Sequence, residues 1–319
     1  MHRLLTTLLL VLAAGMVAAP VGAQAATFGI SDQQARTFSN PLYAPLKLKH
    51  ARYVAPYDVM SDTSQRERFE AWYAAAGGAR QRMLVSFEHS RTTGKEQTLP
   101  TKGQFTTAMK AFKKAFPKVR EINTWNEVNR CQTGTRTEGQ PRGICGAGGA
   151  KGLARSAKLL NTYYGVTRKV FTGATIVPLN VLDEKTPTRA ISYVKAFKRI
   201  ARPAPKVWGI HNYSDTNRFS TTRTTKIIRA IGAKGDVWLL EAGGQLKLGT
   251  RVFGQNKAAK ALRCMFKIAK NKRIKRAYIY HFNGSQPDAT FDAGLIDPDG
   301  TTKRKGYDVV RKRTSTNGC

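Results

Sequence analysis

The chain has 319 residues, 41% hydrophobic and 9% aromatic, which supplies a sizeable core and excludes a wholly disordered polypeptide. Four cysteines are too few for a disulfide-dense miniature scaffold. Lys and Arg number 54 against 20 Asp and Glu, a formal net charge of +34 that attracts polyanions whatever the fold.

Residues 1–25 read as a secretory signal. His2 and Arg3 give a short positive start, Leu4 to Ala19 is apolar, and Ala23-Gln24-Ala25 supplies the small-x-small cleavage pattern. The expected product is a secreted, extracellular protein formed by residues 26–319. No later stretch holds the ~20 continuous apolar residues of a membrane-spanning helix.

From there β-rich runs alternate with helical stretches. The runs are Thr27–Ser31, Ala51–Ala55, Met83–Phe87, Arg120–Trp125, Thr175–Leu179, Val207–His211, Val237–Glu241 and Ala277–Phe282. Ser64-x-x-Glu67 reads as a capping box ahead of Phe69, Trp72 and Tyr73 at helical spacing. Thr101-x-x-Gln104 reads as another, ahead of Phe105, Met109 and Phe112. Thr186 and Pro187 give an N-cap and a first-turn proline. Ala258, Leu262, Met265 and Phe266 line one side of a helix over Asn256–Lys270. Eight such units predict an α/β fold, a (β/α)8 TIM barrel in a single domain. A doubly wound dinucleotide fold loses ground because Phe28-Gly29-Ile30-Ser31-Asp32 carries no G-x-G-x-x-G turn.

Export permits disulfides. Of the three pairings open to four cysteines, Cys131–Cys145 closing a short Gly-rich loop, with Cys264–Cys319 tying a helix to the C-terminus, is preferred. Zinc is disfavoured, since there is no C-x-x-C and no histidine near a cysteine. Asp297 and Asp299 flank Pro298 ahead of Gly300; the twelve-residue calcium-loop pattern is missing, so a turn is expected. No metal and no cofactor is expected.

Barrel chemistry sits at the C-terminal ends of the strands. The polar residues there are Arg52, His89, Asn126, Glu127, His211, Tyr213, Glu241 and His281. Glu127, in Thr124-Trp125-Asn126-Glu127, and Glu241, in Trp238-Leu239-Leu240-Glu241, each follow an apolar run. A carboxylate at such a place is costly without a partner or a role. An Asn-Glu pair alone says little, but glutamates at two strand mouths are the pair of groups that glycoside hydrolysis requires.

With these motifs the sequence resembles the large clan of retaining glycoside hydrolases built on (β/α)8 barrels. Asn126-Glu127 matches the clan's Asn-Glu pair after strand four, Glu241 its nucleophile after strand seven, and His211-x-Tyr213 its strand-six His-x-Tyr. Arg52 matches an arginine after strand two, and His89 a histidine some members carry after strand three. Gly294 to Gly300, with Tyr307 beyond, is similar to the passage from strand eight into the last helix. Where many members end strand eight in a tryptophan, this chain has Tyr280-His281-Phe282.

The resemblance implies an O-glycosyl hydrolase acting on a β-linked poly- or oligosaccharide, with Glu127 as acid/base and Glu241 as nucleophile. A second carboxylate nearby would raise the pKa of Glu127. Arg52 would keep Glu241 ionised and Tyr213 would orient it. Asn126 would meet the sugar 2-hydroxyl, with His89, His211 and His281 as polar walls. Trp125, Trp208 and Trp238 lie inside apolar runs and are expected in the core.

The basic residues are densest over Lys110–Arg120, Lys267–Arg276 and Lys303–Arg313, mostly on predicted helices whose outer faces meet solvent. They suit electrostatic adherence to anionic cell-wall polymers. No helix-turn-helix, zinc-finger or RNA-binding signature is visible, so no specific nucleic-acid partner is expected. A monomer with a carbohydrate substrate is the expectation. The competing reading is a non-catalytic carbohydrate- or wall-binding protein on the same barrel.

Overall fold

The computed structural model describes residues 26–132 and 139–319. The signal peptide expected over residues 1–25 lies outside the described residues.

The strands are β1 (Thr27–Ser31), β2 (His50–Pro56), β3 (Arg82–Glu88), β4 (Glu121–Asn123), β5 (Thr175–Val177), β6 (Asn180–Leu182), β7 (Val207–His211), β8 (Asp236–Ala242), β9 (Lys247–Leu248), β10 (Arg251–Val252), β11 (Ile274–Ile279) and β12 (Phe291–Asp292). The helices are α1 (Thr63–Gly78), α2 (Lys102–Ala115), α3 (Gly149–Val170), α4 (Thr188–Ile200), α5 (Tyr213–Asn217), α6 (Thr222–Ile231), α7 (Gln255–Ile268) and α8 (Lys305–Lys312).

Nine strands form one all-parallel sheet in the order β5-β4-β3-β2-β1-β11-β8-β7-β6. Its two outer members are halves of one broken strand. β5 pairs with β4 and β6 with β7, and only Pro178 and Leu179 separate them. Proline has no N–H to continue a ladder, so the strand breaks there and each half serves a different neighbour. The ends of the sheet thus meet through a single stretch of chain, giving the expected eight-unit barrel with a nearly closed wall. The seam is tight: a Cβ on Gly209 would lie 2.7 Å from the Asn180 Cβ and 2.8 Å from the Leu179 carbonyl oxygen. Gly209→Ala would force the closure open.

Helices pack outside through the residues their spacing marks. α1 buries Phe69, Trp72 and Ala76, α2 buries Phe105, Met109 and Phe112, and α7 buries Leu262, Met265 and Phe266. Each large side chain so removed from water contributes roughly 1.5–3 kcal/mol. Trp125, Trp208 and Trp238 are buried as expected.

Two helix starts differ from the sequence expectation. The Thr101–Gln104 box forms in full. The Ser64–Glu67 box does not: Asp62 caps α1 by accepting from the Gln65 N–H, because a carboxylate one residue before the helix reaches a free N–H that Ser64, already inside the first turn, cannot. α4 begins at Thr188, with Pro187 in the cap position and no side-chain cap, so Thr186 lies outside it. The Asp297–Gly300 segment is a turn, closed by Gly300 N–H to the Asp297 carbonyl, with Gly300 at φ 81°. Both expected disulfides are formed, with Cα atoms 5.1 Å apart at Cys131–Cys145 and 4.8 Å apart at Cys264–Cys319.

The two ends of the barrel are chemically different. At the N-terminal end Glu121 is fully buried between Arg82 and Arg276, and the Arg276 guanidinium lies 4.0 Å from the Trp238 ring centroid. Arg276, counted above in a basic run facing solvent, is in fact buried. At the C-terminal end a small antiparallel sheet, β10-β9-β12, extends from the loops and exposes Leu248 and Val252.

Candidate active site

Arg52 organises the mouth of the barrel. It ends the β1–β2 pairing, is fully buried, and faces inward. Nε donates to Ser86 Oγ at 2.9 Å and Nη1 to Ser31 Oγ at 2.9 Å. Nη1 also donates to Glu241 Oε2 at 2.5 Å. Nη2 donates to Asn126 Oδ1 at 2.8 Å and faces His211 Nε2 at 3.3 Å. All five guanidinium N–H groups therefore have an acceptor from β1, β3, β7, β8 or the end of β4. A buried cation is tolerable only on such terms.

That contact fixes the tautomer of His211. Arginine only donates, so Nε2 accepts and the proton sits on Nδ1. Nδ1 then donates to Glu127 Oε1 at 3.0 Å, and Glu241 Oε2 lies 4.0 Å from the same nitrogen. Measured from one atom, those two carboxylate oxygens are at most about 7 Å apart. Glu241 also accepts from the Tyr213 hydroxyl at 2.9 Å. Burial, with the charge of Glu241 beside it, pushes the Tyr213 phenol well up, so it remains a donor.

Glu127 departs from the expectation of a raised pKa. Burial does push it up, but the hydrogen bond from His211 and the charge of Arg130 outweigh burial and hold the carboxyl well below the usual range. Arg130 Nη1 is 3.2 Å from Glu127 Oε2. The second carboxylate was expected to dominate; the His211 hydrogen bond, followed by the charge of an arginine three residues along the same loop, outweighs it. Glu127 also sits at φ 41°, in the left-handed region that costs a non-glycine residue about 1–2 kcal/mol.

Several residues at the site carry no motif. Asn180, opening β6, accepts the Glu127 N–H on Oδ1 and donates from Nδ2 to Asn123 Oδ1 at 2.8 Å and Asn126 Oδ1 at 2.9 Å. A polar residue inside Val177-Pro178-Leu179-Asn180-Val181-Leu182 was the available signal. Glu88, ending β3, accepts from Asn126 Nδ2 at 3.3 Å and pairs with Arg91. Asp183 accepts the N–H groups of Ser214 and Asp215 at 2.8 and 2.7 Å, and donates its own N–H to the His211 carbonyl. It thereby ties the end of β6 to the junction of β7 and α5, where His211 ends the strand and Tyr213 opens the helix. Burial pushes the Asp183 carboxyl up to about 7, against the pull of those two N–H groups.

Arg52, Asn126, Glu127, His211, Tyr213 and Glu241 thus form one hydrogen-bonded set. His89 and His281 stand beside it. His89 Nδ1 is 3.4 Å from Gln140 Oε1, in the loop that Cys131–Cys145 closes. The same oxygen accepts Trp125 Nε1 at 2.8 Å, and Trp125 stacks on Tyr57 and Tyr163. His281 Nε2 accepts the Ala293 N–H at 3.3 Å and lies 3.7 Å from Asp292. Where the clan's tryptophan would stand, Tyr280 is half-buried beside Glu241. Its ring meets Tyr213 at 6.4 Å and Phe291, from β12, at 5.7 Å. Among the described residues no cluster of His, Cys, Asp and Glu is arranged to hold a metal ion.

No protein-family model and no curated protein matches the sequence. Solved structures do match the fold. A psychrophilic family 10 endo-β-1,4-xylanase superposes with a TM-score of 0.63 at 12% identity, over 90% of this chain and 96% of its own. An endocellulase from Pyrococcus horikoshii gives 0.61 at 13% identity, over 90% of this chain and 92% of its own. A family 39 glycoside hydrolase from Bacteroides cellulosilyticus WH2 gives 0.59 at 14% identity. There the match covers 92% of this chain but 64% of that longer one. The chain therefore shares the (β/α)8 barrel of these glycoside hydrolases.

Proposed function

We propose that the protein is a retaining glycosidase that hydrolyses O-glycosidic bonds of a β-linked poly- or oligosaccharide by double displacement. The observation that carries this is the convergence of Glu127 and Glu241 on His211 Nδ1, at 3.0 and 4.0 Å, at the C-terminal end of a barrel. The resulting bound on their separation takes in the ~5–5.5 Å of a retaining pair.

In this reading Glu241 attacks the anomeric carbon. Arg52 pairs with one of its oxygens and Tyr213 holds the second in place. Glu127 delivers a proton to the leaving oxygen, then takes one from the water that releases the sugar. Asn126 meets the 2-hydroxyl, although Nδ2 must turn from Glu88 to do so. Tyr280 and Phe291 form the apolar wall. His89, His211 and His281 complete the polar one.

The domain reading is a signal over residues 1–25 and a catalytic domain over 26–319. Two disulfides support export, and no described helix is long and apolar enough to cross a membrane. Adherence to anionic wall polymers by the monomeric protein is proposed on its net charge.

One observation favours the alternative, a non-catalytic sugar-binding barrel. A general acid starts protonated, and Glu127 is held ionised by the His211 hydrogen bond and by Arg130. Screening a panel of β-linked polysaccharides for new reducing ends decides between the two. The glycosidase reading expects release from at least one polymer and none with Glu241→Ala. Binding without release in the wild type would establish the alternative.

A further inference from the structure

Glu127 uses its two oxygens on opposite sides. Oε1 faces inward to His211 and, beyond it, Glu241. Oε2 faces Arg130, whose side chain is 40% exposed. The sugar that Glu241 attacks occupies the inward side. In the glycosidase reading this leaves the side of Oε2 and Arg130 for the leaving-group sugar.

Arg130 is held in that place by its surroundings. It precedes the staple: its backbone carbonyl accepts the Gln140 N–H at 2.7 Å, and its own N–H donates to the Glu127 carbonyl at 2.9 Å. A second arginine, Arg189, reaches the same staple, with Nη2 2.8 Å from Cys131 Sγ and Nη1 3.9 Å from Glu184. Arg189 is half exposed. The outer rim of the cleft thus presents two guanidinium groups where a neutral sugar would offer them only hydroxyls.

We propose that the leaving-group sugar of the substrate carries an oxyanion, a uronate carboxylate or a sulfate ester, and that this group takes Arg130 away from Glu127 on binding. The inference rests on the glycosidase reading above. It also reduces that reading's difficulty, since Arg130 is one of the two groups that hold Glu127 ionised, His211 being the other. A planar guanidinium matches such an oxyanion with two parallel N–H bonds. Once Arg130 has turned to it, Glu127 loses a cation and gains a nearby anion, so it takes up one proton from water. That proton passes to the glycosidic oxygen as the C–O bond breaks and the bond from Glu241 to the anomeric carbon forms. In the second step Glu127 recovers a proton from the attacking water. Neutral ligands leave the Arg130–Glu127 pair intact and the acid unarmed. The substrate's own charge therefore selects it.

The test compares each anionic polymer with its own neutral form, so that linkage and shape stay the same. Hyaluronan and polyglucuronate are set against their carboxyl-reduced forms, and keratan sulfate, which contains no uronate, against its desulfated form. The first comparison isolates the carboxylate and the second the sulfate. At least one anionic form should be cleaved with kcat/KM roughly 10-fold or more above its neutral counterpart, as expected for a hydrogen-bonded charge pair. Arg130→Gln should bring that ratio close to one, and Arg130→Lys should restore part of it. Melting temperatures of the variants should match the wild type. The global charge cannot mimic this result, because the variant removes one cation of 54. Equal or faster cleavage of the neutral forms would overturn the inference and leave the glycosidase reading standing, as would a ratio that survives Arg130→Gln. No cleavage of these or of the neutral β-linked polymers would sink the glycosidase reading, and the inference with it.

Discussion

Asn180 Oδ1 accepts the backbone N–H of Glu127 at 2.5 Å, joining the broken fifth strand to the end of the fourth. The bond holds Glu127 at φ 41°, which the chain would otherwise relax. The amide of Asn180 also donates to Asn123 and Asn126, so a single side chain positions three residues on the β4 side.

Asn180→Ala should therefore lower kcat by roughly 10- to 100-fold with little change in KM, because a displaced acid/base costs the chemical step more than ground-state binding. It should also cost about 1–3 kcal/mol of stability, since buried polar groups on Asn123 and Asn126 lose their partner. Steady-state kinetics and denaturant unfolding measure the two effects. An unchanged kcat would remove Asn180 from the positioning of Glu127.

The barrel was legible in the sequence because its strands are apolar runs separated by helical periodicity, and each of the eight runs overlaps a strand, although the last strand lies three residues earlier, at Ile274–Ile279, and the fifth is split. The mouth was legible where a polar residue ended such a run: Arg52, Glu127, His211 and Glu241 come together in space. Asn180 was hidden because Pro178 splits the fifth strand, and a split strand does not end where an unbroken apolar run would. The ionised state of Glu127 was hidden for a different reason. It depends on the hydrogen bond from His211 and on Arg130, a loop residue whose direction no periodicity reports. Likewise nothing in the spacing says that Asp62 rather than Ser64 caps the first helix.

The Cys131–Cys145 bridge closes a loop that carries Gln140 against Trp125 and His89. Replacing both cysteines by serine should lower stability by about 3 kcal/mol, the chain entropy that a bridge of this loop length removes from the unfolded state. It should also raise KM, because the rim bearing Gln140 loses its tether. Thermal melts under non-reducing conditions and saturation kinetics check both. Mass mapping of unreduced peptides that found both thiols free in protein from its native host would remove this rim.

Asp183 makes stability depend on pH in an uncommon direction. Its carboxyl is pushed up to about 7 in the folded state, above its ordinary value, so the folded form binds the proton more tightly than the unfolded chain. Its contribution is fully present at acid pH, below the unfolded value, and is lost as pH rises through about 7. The slope is at most about 1.4 kcal/mol per pH unit. Asp183→Asn should flatten this part of the stability profile between the two values. Urea unfolding midpoints across that window measure it, and an identical profile in the variant would show that Asp183 titrates as it does in the unfolded chain.

The roles of the two glutamates separate by the anomer of a trapped product. An activated aryl β-glycoside of the right sugar needs little help from an acid. Glu127→Ala should therefore complete the first step and stall at the glycosyl-enzyme, whose attacking water lacks a base, with a loss of about 10²–10⁴ in turnover. Azide needs no deprotonation. It should restore turnover by attacking that intermediate from the face the leaving group vacated, giving the β-glycosyl azide. Glu241→Ala forms no intermediate. Azide can then only occupy the space of the missing carboxylate, attack from the opposite face, and give the α-azide. Nuclear magnetic resonance of the two products distinguishes them through the anomeric proton. The opposite pair of anomers would exchange the roles of Glu127 and Glu241, and full activity in both variants would move the chemistry away from this site.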